Sequence, residues 1–304
     1  MIECSILILT KNEERKIGPC LEAVHSQKGI GAFEVVLVDS GSTDATVQIA
    51  SRFPVRIERI PPEEFHHART RNLAASLGRG RILVNLSQDA IPASDKWLRS
   101  MIANFADPQV GAVYGRQLPI PGSPVERQDT LNAVYGDQKI VKDPAHRNGM
   151  GYRFYHFSDV NAAIRRSVWE KTPFPEDLKT FEDLGIAKRI LNNGWKIIYE
   201  PDAAVFHSHN HTTLGLFKRY FDIGYTLKRL EIWDAPGTRR SMLRDFSKLV
   251  RRQLSGAQGR AGARVKGVAI VQDIAKSTGL LLGANQRYLP LLVKRHLSSH
   301  GVYE

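Results

Sequence analysis

Six short polar clusters hold the residues whose types and spacing could do chemistry. Asp39 closes the β-branched run Val35–Val38, so its carboxylate would project from a rigid strand end, where it can accept the N3–H of a uracil or thymine ring. Asp89, in Ser87-Gln-Asp89, follows the apolar run Arg81–Leu86. A carboxylate there could bind a divalent cation that neutralises a diphosphate, since Mg2+ and Mn2+ take few carboxylates together with phosphate oxygens and water. His207, His209 and His211 alternate after the apolar stretch Ala203–Phe206 and could face one side of an extended segment. With no Cys or neighbouring acid they make a poor zinc set, whereas His207 alone suits a supporting imidazole beside a carboxylate-bound Mg2+ or Mn2+. Glu182 and Asp183 open a helix: Asp183 could take a proton from an acceptor hydroxyl, with Glu182 turned to the acceptor or to a supporting residue. Arg69 and Arg71 stand at a helix start, where the dipole disfavours cations and a pyrophosphate would satisfy them. Each cluster also has an ordinary reading as a turn, a cap, a dipole complement or a solvated surface.

Positioning these clusters takes strands that end where they begin. Apolar runs at Ile6–Leu9, Phe33–Val38, Val55–Ile60, Arg81–Leu86 and Val110–Tyr114 read as strands. Helical spacing between them (Ile17, Cys20, Leu21, Val24; then Val47 to Phe53, Ala68–Leu77 and Trp97–Phe105) predicts an alternating α/β chain. Thr43 or Asp44 is expected to cap the second of these helices. Such a chain makes a doubly wound, mostly parallel sheet flanked by helices, which binds ligands beyond the carboxyl ends of its strands. Thr10–Glu13, Asp39–Asp44 and Ser87–Asp89 all fall at such ends. From 118 to 157 prolines and scattered charges predict a loop-like insertion on the acceptor side.

The 304 residues carry 43 Lys+Arg against 31 Asp+Glu, a net charge of +12 that is unevenly spread. Residues 237–304 hold 13 basic and three acidic side chains, net +10. Met242 to Leu254 pattern as a basic amphipathic helix, with further apolar segments at Val265–Leu282 and Tyr288–Leu297. Such a tail suits an anionic lipid surface, though packing against the core with a solvated basic face explains it equally, and self-association would use the same apolar faces. Cys4 and Cys20, expected in the core, exclude a disulfide framework and a Cys-based zinc site. The sequence gives no membrane span or secretory signal, so the expected compartment is the cytoplasm.

Taken in order, Thr10-Lys-Asn-Glu13, Val38-Asp-Ser-Gly-Ser-Thr-Asp44, Ala68-Arg-Thr-Arg-Asn72, Ser87-Gln-Asp89, Phe181-Glu-Asp183 and Phe206-His-Ser-His209 resemble glycosyltransferase family 2. The resemblance covers roughly residues 1–215, and Phe65-His-His67 with Ser87-Gln-Asp-Ala90 looks most like its bacterial dTDP-rhamnosyltransferases. It implies a GT-A (Rossmann-like) domain over 1–215, followed by a basic helical C-terminal region, 216–304. It further implies an inverting transferase that moves a sugar, plausibly rhamnose, from a UDP- or dTDP-linked donor to a glycan or lipid-linked acceptor in bacterial surface polysaccharide synthesis. Carried onto this chain, it gives Thr10, Asn12, Glu13, Asp39, Ser42 and Gln88 to the nucleotide and Arg71 to the diphosphate side. Asp89 and His207 fall to a Mg2+ or Mn2+ ion, and Asp183, beside Glu182, to the catalytic base. Ser87 stands where the family's D-x-D metal motif has its first acid, one carboxylate fewer for the ion. The tail would then work at the inner face of the cell membrane, peripherally, with a homo-oligomer left open.

A sugar nucleotidyltransferase would share the architecture but wants a glycine-rich phosphate loop, and Thr10–Glu14 has no glycine. A nucleic-acid-binding protein would use the basic tail but leaves the acidic strand ends without a purpose, so no nucleic acid is expected.

Overall fold

The computed structural model describes residues 2–123, 131, 134–147, 150–209, 212–242, 244, 260–299 and 301. The chain divides into two compact units, one of residues 1–146, 157–177 and 182–208, the other of 147–156, 178–181 and 209–304. The sequence suggested a single boundary at 215. Two short segments ahead of that boundary, 147–156 and 178–181, belong to the second unit.

In the first unit the order is β1 (Cys4–Thr10), α1 (Ile17–His25), β2 (Phe33–Asp39), α2 (Thr46–Ala50), β3 (Arg56–Arg59), α3 (His67–Leu77), β4 (Ile82–Ser87), β5 (Ile91–Pro92) and α4 (Trp97–Ala103). There follow β6 (Val110–Leu118), β7 (Ile140–Lys142), β8 (Asn161–Arg165), α5 (Arg166–Trp169), α6 (Glu182–Asn192) and β9 (Lys196–Phe206). Strand order in the sheet is β3-β2-β1-β4-β8-β6-β9-β5, with β7 added to β9. From β3 to β4 every pair is parallel, as the alternating pattern predicts. Beyond β4 the sheet is mixed, because β8 enters antiparallel to both β4 and β6.

Alternation along the strands splits the core between two layers. Ile6, Ile8, Val35, Leu37, Val84 and Leu86 pack with Ile17, Leu21 and Val24 of α1 and with Trp97 and Met101 of α4. Leu7, Val36, Val38 and Leu83 pack on the other face with Ala74 and Ala75 of α3. Such near-continuous apolar strands are what a sheet covered on both faces requires. Cys4 and Cys20 lie wholly in the core, and burial pushes both thiols up to about 12.

β9 is one long strand, of which the sequence marks the end, Ala203–Phe206, as an apolar stretch. Its register against β6 runs Gly115 to Glu200 and then Gln117 to Val205, so β9 carries an arch of extra residues around Pro201. Gly115 is required there, since a Cβ would lie 1.9 Å from the Ala203 carbonyl oxygen. The arch lets Gln117 and Leu118 pair with Val205 and Phe206, and the His207 N–H donates to the Leu118 carbonyl at 2.9 Å.

In the second unit α7 (Thr213–Arg229), capped by Thr212 Oγ1 accepting from Gly215 N at 3.0 Å, packs along α8 (Arg260–Ala284). The helices touch backbone to backbone: a Cβ at Gly283 would lie 1.9 Å from the Phe221 carbonyl oxygen. Buried Asp222 accepts from both Ser299 N and Ser299 Oγ, just after α9 (Leu291–Leu297). The expected basic helix 242–254 lies outside the described residues apart from 242 and 244, as does His211. Among the described residues no helix is long and apolar enough to cross a membrane.

Candidate active site

Register brings the three strand-end clusters side by side. Thr10 is level with Asp39 across β1–β2, and Leu9 is level with Ser87 across β1–β4. The loops after β1 and β2 are stitched together. Asn12 N–H donates to Ser42 Oγ (2.9 Å), Thr43 N–H to Asn12 Oδ1 (2.8 Å) and Glu13 N–H to Thr46 Oγ1 (2.7 Å). Asn12 takes a left-handed φ of +50°, a conformation asparagine tolerates well. Asp44 Oδ1 accepts from Thr46 N–H at 3.0 Å, so Asp44 rather than Thr43 satisfies the start of α2.

Asp39 is buried and accepts from Gly41 N–H (3.2 Å), Ser42 N–H (3.1 Å) and Ser42 Oγ. Its carboxylate thus holds the turn that follows β2. Gly41, at φ +81°, is fixed in type because a Cβ would sit 2.5 Å from Pro62 Cγ. Beside Asp39 opens a cavity of about 630 Å3 whose walls include Ser42, Asp44, Arg59 and Ile60. Gln88 bridges to the first loop: its Oε1 accepts from Thr10 Oγ1 (2.6 Å) and Lys11 N–H (2.9 Å). All six residues expected at the nucleotide are therefore in one connected cluster.

Asp89 is next in the chain and buried, as is His207. Asp89 Oδ1 lies 3.5 Å from His207 Nε2, although 118 positions separate them in sequence. His207 Nδ1 meets Gln117 Oε1 at 2.9 Å, an outer partner of the kind that orients a metal-ligating histidine. A carboxylate oxygen and an imidazole nitrogen, both buried and close, suit a divalent cation that draws its other ligands from phosphate and water. Lys16 Nζ, 3.5 Å from Asp89 Oδ2, already supplies one positive charge, consistent with a weakly held ion. His209 follows two residues on and is exposed.

The third cluster corrects one expectation. Arg71, read as diphosphate-facing, is buried, with Nε against Asp159 Oδ2 and 3.1 Å from Glu182 Oε1. Asp159 and Glu182 already occupy its Nε, and His66 Nδ1 accepts from Arg69 N–H to cap the same helix start. Asp159 has no counterpart among the sequence expectations. Its signal, an acid just ahead of Asn161–Arg165, needs the knowledge that β8 pairs with β4.

Burial pushes Asp159 well above its ordinary value, with the Glu182 and Asp183 charges adding to the rise against the pull of Arg71. Glu182 goes the other way: burial would raise it, but Arg71 and His67 more than reverse that. His67 Nδ1 is 3.8 Å from Glu182 Oε1. Asp183 is half-exposed and its Oδ1 accepts its neighbour's N–H from Leu184 at 2.8 Å. Phe181, just before them, has φ +58°, a left-handed turn that starts α6 at Glu182.

Residues 5–172 match the model of the glycosyl transferase family 2. O-antigen chain rhamnosyltransferase RfbN of Salmonella typhimurium is 31% identical over 319 aligned residues, covering 99% of this chain and 96% of its own. O-antigen chain rhamnosyltransferase WbaN of Salmonella anatum is 32% identical over 286, covering 89% and 85%. Among solved structures, mannosyltransferase PcManGT from Pyrobaculum calidifontis, in complex with GDP-Man and Mn2+, superposes with a TM-score of 0.62 at 20% identity, over 94% of this chain and 87% of that one. TarS 1–349 of S. aureus superposes at 0.56 and 14% identity, over 94% and 91%. At these identities the two structures establish the GT-A fold.

Proposed function

The chain belongs to glycosyl transferase family 2 and is a glycosyltransferase, and from that premise we propose that it is an inverting, metal-dependent rhamnosyltransferase. Its donor would be dTDP- or UDP-linked, and its acceptor a lipid-linked glycan of the O-antigen kind. The two Salmonella relatives, both O-antigen chain rhamnosyltransferases, support the sugar and the acceptor class. The observation that carries the chemistry is the buried pair Asp89 and His207, joined through Gln88 to the loops around Asp39.

Asp39 has lone pairs beyond those that hold its turn, and accepts the pyrimidine N3–H. Thr10, Asn12, Glu13 and Ser42 fix the loop backbone around the nucleoside, and Gln88 ties that wall to the diphosphate side. Asp89 and His207 would hold a Mg2+ or Mn2+ ion, which would supply positive charge where the leaving diphosphate gains negative charge. Asp183, half-exposed at the start of α6, takes the proton of the acceptor hydroxyl as that oxygen attacks the anomeric carbon from the face opposite the diphosphate. One displacement with oxocarbenium character needs no enzyme nucleophile, and inverts the anomeric centre. Glu182, buried under Arg71 and Asp159, holds the start of α6 rather than the substrate.

The basic tail would keep the enzyme peripheral to the inner membrane face, where a lipid-linked acceptor resides. The test of the donor reading is a thermal-shift panel of UDP-, GDP- and dTDP-sugars with and without Mn2+. dTDP-rhamnose with Mn2+ should give the largest stabilisation. A GDP-sugar preference, or shifts indifferent to Mn2+, would sink the donor or the metal assignment respectively.

A further inference from the structure

We propose that Gln117 is a positioning residue for His207, presenting a carbonyl acceptor that fixes the imidazole with hydrogen on Nδ1 and its Nε2 turned to Asp89. The proposal rests on the reading of Asp89 and His207 as the metal pair. Gln117 is buried on β6, and no motif in the sequence singles it out.

Three observations converge on it. The β9 arch shifts the β6–β9 register so that Gln117 is level with Val205, two residues before His207. The backbone of the next residue, Leu118, accepts the His207 N–H at 2.9 Å, so strand and side chain grip the histidine together. Finally, the Gln117 amide nitrogen donates to Tyr135 Oη (2.7 Å) and Ser158 Oγ (2.9 Å), which occupies both its hydrogens and leaves Oε1 to face His207 Nδ1 at 2.9 Å. A carbonyl oxygen only accepts, so Nδ1 must carry the hydrogen. Nε2 is then the nitrogen that can give an electron pair to a cation shared with Asp89 Oδ1, 3.5 Å away. Tyr135 lies within the 118–157 insertion and Ser158 directly follows it, so the insertion helps hold the histidine.

The experiment is Mn2+ titration of the full chain, followed by electron paramagnetic resonance of free Mn2+, with melting curves recorded for each variant. His207→Ala should weaken Mn2+ uptake. Gln117→Met, which removes the acceptor, and Gln117→Asn, which draws it back by one methylene, should each weaken it about 10- to 100-fold, the usual range for an outer partner. Gln117→Glu, an acceptor of the same reach, should keep wild-type affinity or better. A merely structural glutamine would not be rescued by glutamate in metal affinity. If Gln117→Met and Gln117→Asn hold Mn2+ normally while His207→Ala does not, the proposal is wrong and the metal pair stands. If Gln117→Glu falls with the other two, the acceptor role is wrong. If His207→Ala leaves uptake unchanged, it is the metal reading that fails, and the positioning role with it.

Discussion

Asp183 and Glu182 are neighbours in the chain with opposite surroundings. Glu182 is sunk beneath Arg71 and Asp159, while Asp183 keeps partial access to solvent. A base that must meet an acceptor hydroxyl needs that access, and the buried carboxylate cannot offer it. Asp183→Asn should therefore cut transfer by a factor of roughly 100 or more while nucleotide binding by calorimetry is unchanged, the range expected for a lost proton acceptor. Retained turnover would remove Asp183 from the base role. Glu182 makes a different prediction. Its carboxyl is held below the ordinary 4.5, so the stability it contributes is complete above that pH and fades as pH falls through the lowered value. Glu182→Gln should lose about 1.5–3 kcal/mol at neutral pH, the range for a charged hydrogen bond. Melting temperatures measured from pH 7 to pH 3 should accordingly fall less steeply for the variant than for wild type, and parallel curves would contradict the ion pair with Arg71. The sequence made the two acids visible but could not rank them, since burial by Arg71 and Asp159 comes from residues 111 and 23 positions away.

At the level of strands and helices, the parallel half of the sheet was readable because β1, β2 and β4 are near-continuous apolar runs with helical patterns between them. β1, β2 and β4 put Thr10, Asp39 and Ser87 at one edge, where the clusters were expected. The other half was not readable in this way. β8 is too short and too mixed in composition to declare its antiparallel pairing, and Asp159 is concealed with it. In β9 the stretch Ala203–Phe206 stood apart, because Pro201 and Asp202 interrupt the strand's pattern, yet the arch they form is what delivers His207 to Asp89. Gly115 is the test of that arch. Gly115→Ala puts a Cβ into the Ala203 carbonyl, a backbone group that cannot swing aside, and should cost about 1–3 kcal/mol as an overpacked core position. Chemical denaturation would give that loss. If the arch positions the histidine, the same variant should bind Mn2+ more weakly while nucleotide binding without metal is spared. A stability loss with normal Mn2+ uptake would separate the arch from the site.

For the whole molecule, charge distribution is the feature that sequence reveals most directly and structure refines. The front of the chain is nearly neutral, and 237–304 carries a net +10. What the sequence could not assign was the apolar surface that accompanies this charge. On α8, Ala269, Leu280 and Ala284 turn inward, while Val268, Val271 and Ile274 recur along an exposed face. Around α9, Tyr288 (71% exposed) and Leu292 (79%) stand beside Leu291 and Val293, with Arg287, Lys294 and Arg295 interleaved. Aromatic and aliphatic side chains set among cations match a headgroup interface better than an aqueous one. We therefore expect the full chain to co-float with vesicles containing anionic phospholipid, and not with purely zwitterionic ones. Each surface cation is worth about 1 kcal/mol there, so Lys294→Glu with Arg295→Glu, which replaces two cations by anions, should weaken flotation at least tenfold. Leu292→Ser should weaken it at every salt concentration, whereas the charge variant should differ most from wild type at low salt, where screening is weakest. Equal flotation of all variants would end the lipid reading of this surface, and a concentration-dependent dimer abolished by Leu292→Ser would assign it to a second copy of the chain instead.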